Sequence, residues 1–195
     1  MKRLLSAASL MFVFLFAGAM AYALSPTQTI QHIGDGMINA LQAHKAQLQD
    51  RAVIRKIVDK ELVPYVDLTS MAGRVVGRKA WMHASPKSRR EFEDRFKHVL
   101  INTYSAALAS YDRDKLHVYP LRTKPTQLAR VKSDIVRRNG QRILMVYNMR
   151  KEPEGWRIYD VSIENVSIVD NYRAQYASVL QQGGLALLNA RLAKR

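Results

Sequence analysis

Residues 130–149 read RVKSDIVRRNGQRILMVYNM and predict the centre of a β-sheet. Charged or polar residues first alternate with apolar ones, as in a strand with one wet face. Asn139-Gly140 then predicts a two-residue hairpin turn, because both residues accept a positive φ. The returning strand, Ile143 to Met149, is apolar in both alternating sets, so both of its faces are expected to be covered. Helices on both sides or a central position in the sheet would explain this, and the alternative is a curled sheet with an apolar interior.

The stretches on either side extend this hairpin into an antiparallel meander. Strand patterns occupy residues 116–120 and 156–163, and a second turn lies at 152–155. Outside the meander, apolar residues recur at helical spacing. The predicted helices are, in chain order, one that starts at Ser25-Pro26, one over residues 53–63, one over 67–74, one that starts at Ser85-Pro86 with an apolar stripe from Phe92 to Tyr111, one capped by Asp170, and a short last one over 185–192 after a break at Gly183-Gly184. The predicted fold class is therefore α+β.

The first 23 residues predict export. Residues 1–3 are a short basic start, residues 4–20 are apolar or small, and Ala-Tyr-Ala at 21–23 is a small-x-small cleavage pattern. A retained membrane anchor is the alternative, but the apolar run is at the short end of the roughly 17–25 residues that a spanning helix needs. We therefore expect a signal peptide cleaved after Ala23 and a single exported domain over residues 24–195.

Composition narrows the classes of function. The chain has a formal net charge of +15 and contains no cysteine. Without cysteine there is no thiol catalysis, no thiolate metal site and no disulfide. The positive charge favours anionic partners, which outside the cytosol are phospholipid head groups, lipopolysaccharide and acidic protein surfaces. Nucleic acid is not expected as a partner, because the protein is predicted to be exported.

The search for catalytic motifs predicts neither an enzyme nor a cofactor. The five histidines are scattered without metal-ligand spacing, and there is no G-x-S-x-G elbow and no phosphate-binding loop. The alternative is a carboxylate with a raised pKa in an apolar pocket, from among Glu61, Asp67, Asp160 and Glu164, since small cone-shaped folds that isomerise steroids use such an acid. An ion pair with one of the many arginines is the simpler interpretation of these residues.

One stretch concentrates the positive charge. Arg130, Lys132, Arg137, Arg138 and Arg142 lie on the predicted hairpin with Asp134 as the main counter-charge. We predict that they contact an anionic membrane or an acidic partner. A solvated sheet edge, where basic residues suppress aggregation, is the alternative.

Several motifs in order resemble a known family. They are PYVD at 64–67, VGRKAW at 76–81, the aromatic stripe of the helix from Phe92 to Tyr104, WRIYDV at 156–161 and VSIVDNYRAQY at 166–176. Together they are similar to the MlaC family, the toluene-tolerance periplasmic proteins, over nearly all of the mature chain. Asn165 and Ala174 depart from the usual glycine and serine, and asparagine keeps the turn because it tolerates positive φ.

The resemblance implies a fold, a function and a set of partners. The fold would be a curved antiparallel sheet wrapped by helices, related to the NTF2-like cone, with an apolar cavity. The protein would be a periplasmic, mostly monomeric phospholipid carrier that maintains outer-membrane lipid asymmetry. It would move lipid between an outer-membrane lipoprotein complex and an inner-membrane ABC transporter bearing an MCE-domain protein.

On this hypothesis we expect the cavity lining to include apolar residues from the helices and the sheet. The expected lipid-binding residues are Met71, Val75, Trp81, Phe96, Leu100, Tyr104, Val131, Leu144, Val146, Ile158 and Val169. Alternation leaves open which face of the sheet lines the cavity. Two other functions also remain open: an NTF2-like enzyme with Asp67 or Asp160 as base, and a ligand-free envelope adaptor.

Overall fold

The computed structural model describes residues 24–194, which form six α-helices and five β-strands. The helices are α1 (Pro26–Ala43), α2 (Arg51–Glu61), α3 (Leu68–Val76), α4 (Arg78–His83), α5 (Pro86–Ala109) and α6 (Ile168–Leu192). The strands are β1 (Lys115–Val118), β2 (Leu128–Val136), β3 (Arg142–Glu152), β4 (Gly155–Ile163) and β5 (Val166–Ser167). Helices thus precede and follow one run of strands, and the predicted α+β class is confirmed.

The five strands form one antiparallel sheet in the order β1-β2-β3-β4-β5, so each strand pairs with its neighbour in sequence. The pairing of β3 with β4 shifts by one residue, because Asn148 pairs with Asp160 whereas Met149 pairs with Ile158. Tyr159 is therefore an extra residue on β4. Such a β-bulge bends its strand and increases the local twist, which helps to give this meander its curvature.

The hairpin between β2 and β3 differs from the two-residue turn predicted at Asn139-Gly140. Gly140 alone of these two has a positive φ, of 83°. The Gly140 amide donates to the Arg137 carbonyl at 2.9 Å, and the Arg137 amide donates to the Gln141 carbonyl at 2.8 Å. The connection therefore needs only one residue with positive φ. Asn165 has a φ of 65° in the turn before β5, as predicted for its place there.

Side-chain caps fix the helix starts. Ser25 and Ser85 accept hydrogen bonds from the third backbone amide that follows each of them. The prediction that Asp170 caps the last helix is wrong, because Ser167 occupies that position and its hydroxyl accepts from the Asp170 amide at 3.1 Å. The chain passes directly from β5 into α6, so the helix starts earlier than its apolar pattern suggests. Gly183 and Gly184 break the helix as predicted, Gly184 with φ 61° and ψ −158°.

Three clusters of buried apolar residues hold the elements together. Cluster 1 joins α3, α5 and α6 around Phe92, Phe96 and Tyr172. Cluster 2 packs Ile30 and Ile33 of α1 against the sheet. Cluster 3 joins α1, α2 and α5. None of the helices within residues 24–194 combines the length and the apolar character that crossing a membrane requires.

The two faces of the sheet differ in what they contact. The sheet residues that take part in the clusters include Val131, Tyr147 and Ile158, which lie on one face, called here the inner face. The other alternating set, the outer face, includes Leu144 and Val146, and neither belongs to a cluster. Val146 is nevertheless buried, between Lys132 and Ser162 of the adjacent strands. The double apolar pattern of β3 thus reflects a central strand rather than helices on both sides.

Candidate functional site

Burial changes along the inner face of the sheet. Towards the β3–β4 turn, Val131, Met149 and Ile158 are 0% exposed and pack against α1. Towards the β2–β3 hairpin, three large apolar residues of the same face are only half-buried and belong to none of the three clusters. They are Ile135, Ile143 and Met145. The inner face therefore has a packed half and a half whose apolar surface lacks core partners.

Helix α5 changes in the same way. Phe92 and Phe96, in its first half, are fully buried, whereas Leu100 and Tyr104 are half-buried. The C-terminal end of α5 lies beside the β2–β3 hairpin, because Arg137 donates to the Ser110 hydroxyl at 3.2 Å. The part of α5 that carries Leu100 and Tyr104 therefore lies towards the β2–β3 hairpin, which we call the open end of the sheet, while Ile101 and Ser105 beside them are buried.

A second contact fixes the same arrangement from the side of β4. Ile163 packs against cluster 1, as do Leu100 and Tyr104, and it is the β4 partner of Met145. From this arrangement we infer an apolar groove between these elements, called here the inner groove. Its bordering residues are Leu100, Tyr104, Ile135, Ile143, Met145 and Tyr147. Because most of its border is apolar, it suits an apolar ligand held by surface burial rather than by directed polar contacts.

Tyr147 lies where the packed half of the sheet meets the groove. Burial raises the pKa of the Tyr147 phenol, and the hydrogen bond from Ser133 opposes this more weakly. The Ser133 hydroxyl donates to the Tyr147 oxygen at 3.4 Å. Part of the Tyr147 side chain is nevertheless accessible to water. Tyr147 thus separates the fully buried half of the inner face from the half-buried one.

The eleven predicted lipid-binding residues fall into three groups. Those in or against cluster 1 are Met71, Val75, Trp81, Phe96, Leu100, Tyr104 and Val169. Val131 and Ile158 belong to cluster 2. Leu144 and Val146 lie on the outer face, opposite to Val131. The structure therefore does not bring these two together with the others.

Sequence reasoning missed four residues that border the groove. They are Ile135, Ile143, Met145 and Tyr147. The register of the β2–β3 hairpin would have identified them. Once the hairpin register places Tyr147 opposite Val131, the odd-numbered residues of β3 share the face of Val131.

The predicted anionic-surface residues also divide. Arg130 and Lys132 are exposed on the outer face and form no ion pair with another residue in the range 24–194. Arg138 pairs with Asp112 at 3.2 Å, and Arg142 pairs with Asp134 at 3.0 Å. Arg137 is partly occupied too, since it donates to Ser110. Two of the five side chains are thus unpaired and directed to solvent.

The two carboxylates considered as catalytic bases have structural partners. Asp160 is buried and accepts from the Ser167 hydroxyl at 2.9 Å and from the Val169 amide at 3.2 Å, at the start of α6. Asp67 caps α3 by accepting from the Ser70 amide at 2.9 Å, and it pairs with Arg150. Among residues 24–194, no three acidic or histidine side chains come close enough together to bind a metal ion.

Two surface clefts lie away from the inner groove. The larger, of about 510 Å³, is at the start of α3 and contains the Asp67–Arg150 pair. Arg150 also donates to Glu152 at 2.6 Å and to the Ser70 hydroxyl at 2.9 Å. The hydrogen bond to Glu152, and then the neighbouring carboxylate charges, raise the pKa of the guanidinium. This cleft is polar and internally paired, so it does not suit an apolar ligand.

The sequence of residues 31–194 matches the family model described as MlaC protein. The chain belongs to the MlaC family.

Related proteins in this family carry informative names. The intermembrane phospholipid transport system binding protein MlaC of Haemophilus influenzae is 25% identical over 169 residues, which cover 84% of this chain and 78% of that protein. The toluene tolerance protein ttg2D of Pseudomonas putida is 22% identical over 161 residues, 82% of this chain and 75% of that protein.

A solved structure matches the fold as a whole. It is a phospholipid-binding protein from Ralstonia solanacearum in complex with a phospholipid. Its TM-score to this chain is 0.82 at 25% identity, and the match covers 88% of this chain and 96% of that one. The MlaC-family sheet and helices described above are therefore an arrangement that is found with a lipid bound.

Proposed function

We propose that this protein is a phospholipid carrier of an intermembrane lipid transport system, with the acyl chains held in the inner groove. The observation that carries the proposal is that Ile135, Ile143 and Met145 of the sheet and Leu100 and Tyr104 of α5 are all only half-buried, in a fold whose solved relative contains a phospholipid. The head group would remain near solvent at the mouth of the groove. Of the expected lipid-binding residues, Leu100 and Tyr104 would line the groove, and the fully buried ones of clusters 1 and 2 would support it from behind.

Physical chemistry makes a carrier of this kind reasonable. Burying one methylene group stabilises a bound lipid by about 0.8 kcal/mol. A sixteen-carbon chain therefore contributes roughly 12 kcal/mol before the ordering of the chain is subtracted. Two such chains would leave too slowly without help. Transfer therefore requires docking to a protein that offers a competing site or opens the groove.

The partners follow from the same proposal. A carrier between two membranes would meet an outer-membrane lipoprotein complex on one side and an inner-membrane ABC transporter with an MCE-domain protein on the other. Arg130 and Lys132 on the outer face are the residues that we propose to contact an acidic or anionic surface. Exchanging both for glutamate should slow docking strongly at low salt and less at high salt, because salt screens exposed charges.

The site of action would be the periplasm. The predicted signal peptide, residues 1–23, lies outside the described residues. Export is tested by N-terminal sequencing of the protein recovered from a periplasmic extract. A mature chain that begins at Leu24 is expected, and an intact Met1 on membrane-bound protein would contradict cleavage and favour a retained anchor.

An enzyme built on the same fold is the second candidate. The partners of Asp67 and Asp160 favour a structural role for both, because each carboxylate holds the start of a helix. Replacing both with asparagine should leave lipid retention in whatever protein folds. A ligand-free adaptor is the third candidate, and it predicts purified protein without lipid.

Native mass spectrometry of protein purified without detergent tests the proposal directly. The expected result is a population heavier than the bare chain by the mass of a phospholipid, and chloroform extraction should recover that lipid. Met145→Trp fills the groove and should lower the lipid content. Leu128→Trp is the matched control, since Leu128 is 60% exposed on β2. Bare protein in the wild type, or equal lipid in both variants, would contradict the proposal.

A further inference from the structure

Tyr147 occupies a special place on the inner face of the sheet. On one side its ring packs against cluster 2, where Val131 and Met149 are 0% exposed. On the other side its hydroxyl meets Ser133, which pairs with Met145 at the border of the groove. Beyond Tyr147, towards the β3–β4 turn, α1 packs directly on the inner face of the sheet through Ile30. An apolar chain that enters the groove from the open end therefore meets Tyr147 last.

The chemistry of this pair differs from that of its surroundings. Ser133 and Tyr147 place two hydroxyl groups among apolar neighbours, and Ser133 is fully buried. A buried hydroxyl is costly unless it is hydrogen-bonded, and the two groups provide each other with a partner. Because Ser133 lies two residues from Val131 towards the β2–β3 hairpin, the bond directs the Tyr147 side chain towards the groove. The edge of the ring and its hydroxyl would then contact the methyl end of an acyl chain.

We infer that Tyr147 is the end wall of the inner groove and sets the length of acyl chain that the protein retains, with Ser133 as its positioning residue. This inference rests on the proposed function and adds a substrate preference to it. A chain that is too long must displace the ring from Ser133 or leave methylenes in water. A chain that is too short leaves part of the groove unfilled and loses contacts.

The test is a size series at one position. Delipidated protein is incubated with an equimolar mixture of phosphatidylglycerols. The two acyl chains of each lipid are equal, and their length differs from one lipid to the next. The retained lipids are extracted, identified and quantified by mass spectrometry. Tyr147→Ala leaves a cavity about the size of the lost ring, which is room for about two to four methylenes. The retained mixture should therefore shift to longer chains by about that amount. Tyr147→Trp should shift it to shorter chains. Tyr147→Phe keeps the ring but loses the bond to Ser133, so it should leave the mean chain length nearly unchanged and broaden the profile as Ser133→Ala does.

Two further variants separate the end wall from general effects on the fold. Met149→Ala also truncates a large side chain and leaves a cavity, but in the packed half of the sheet. It should therefore lower stability without changing the chain-length profile. Ser133→Ala frees the ring and should broaden the profile. An unchanged profile in both Tyr147→Ala and Tyr147→Trp would overturn the inference, and if only the tryptophan variant folds, its profile decides. Failure of the wild type to retain any lipid would instead refute the proposed function.

Discussion

Replacing Asp160 with asparagine should destabilise the protein by about 2–3 kcal/mol. Asp160 is 9% exposed, and its carboxylate accepts from the Asn148 amide group at 3.3 Å, the Ser167 hydroxyl at 2.9 Å and the Val169 amide at 3.2 Å. Hydrogen bonds to a charged group are worth roughly 1.5–3 kcal/mol each. The carboxylate also lies at the start of α6, where negative charge is favoured by up to about 2 kcal/mol in a partly buried site.

Asparagine retains only part of these interactions. Its oxygen can still accept from the Val169 amide, but its NH2 group faces the Asn148 amide group, which is also a donor. At least one charge-assisted bond and the attraction to α6 are therefore lost. The contributions overlap because they share one side chain, so the loss is smaller than their sum. For a chain of this size the melting temperature should fall by about 5–10 °C.

The assay is urea and thermal unfolding of delipidated protein, followed by circular dichroism. Delipidation matters because a bound ligand adds its own stabilisation. Asp94→Asn is the matched control. The Asp94 side chain is 64% exposed, and its contact with His98 is weak, with 3.9 Å between Oδ1 and Nε2. The control should change stability by less than about 0.5 kcal/mol. If Asp160→Asn is equally mild, the view that this carboxylate ties β3, β4 and α6 together is wrong.

Three other perturbations test the remaining parts of the fold. Gly184→Ala should cost about 1–3 kcal/mol, because φ 61° with ψ −158° is strained for any side chain; an unchanged midpoint in urea would contradict this backbone geometry. Phe96→Ala should cost about 3–5 kcal/mol in the same assay, since the ring is fully buried in cluster 1, and a loss below 1 kcal/mol would show that cluster 1 packs loosely. Hydrogen bonds from Lys45 and Arg138 lower the pKa of Asp112, so the stabilisation from this contact is present above the ordinary carboxyl pKa and is lost as the pH falls through the lowered one. Asp112→Asn should therefore flatten the acid limb of stability below about pH 4, and parallel curves would argue against the pairing.

Local signals in the sequence predicted most of the secondary structure. Ser25 and Ser85, each followed by proline, mark real helix starts, and the glycine pair marks a real break in α6. These features depend on residues within one turn of each other, so they survive in any tertiary context. Ser167 was missed as a cap because it also ends β5, and a strand of two residues is too short to show an alternation of apolar and polar side chains.

The candidate site was harder to predict because it depends on which way a strand faces. Both alternating sets of β3 are apolar, so β3 alone does not distinguish Met145 from Val146. The alternation of β2, carried across by the register, assigns Val146 to the face of Lys132. The internal pairing of Arg138 was not predictable either, because Asp112 is far away in sequence and approaches only when α5 and the hairpin fold together.

The break in α6 determines how far the last part of the chain extends. Tyr176 meets Phe92 of α5, and the two helices run antiparallel there. If α6 continued straight, Asn189 would lie about 15 Å beyond Ser88, past the first turn of α5. Asn189 instead donates to the Ser88 carbonyl at 2.9 Å. The turn at Gly184 thus returns Leu185, Leu188 and Leu192 to the interior, where a straight helix would have carried them past the start of α5 into water.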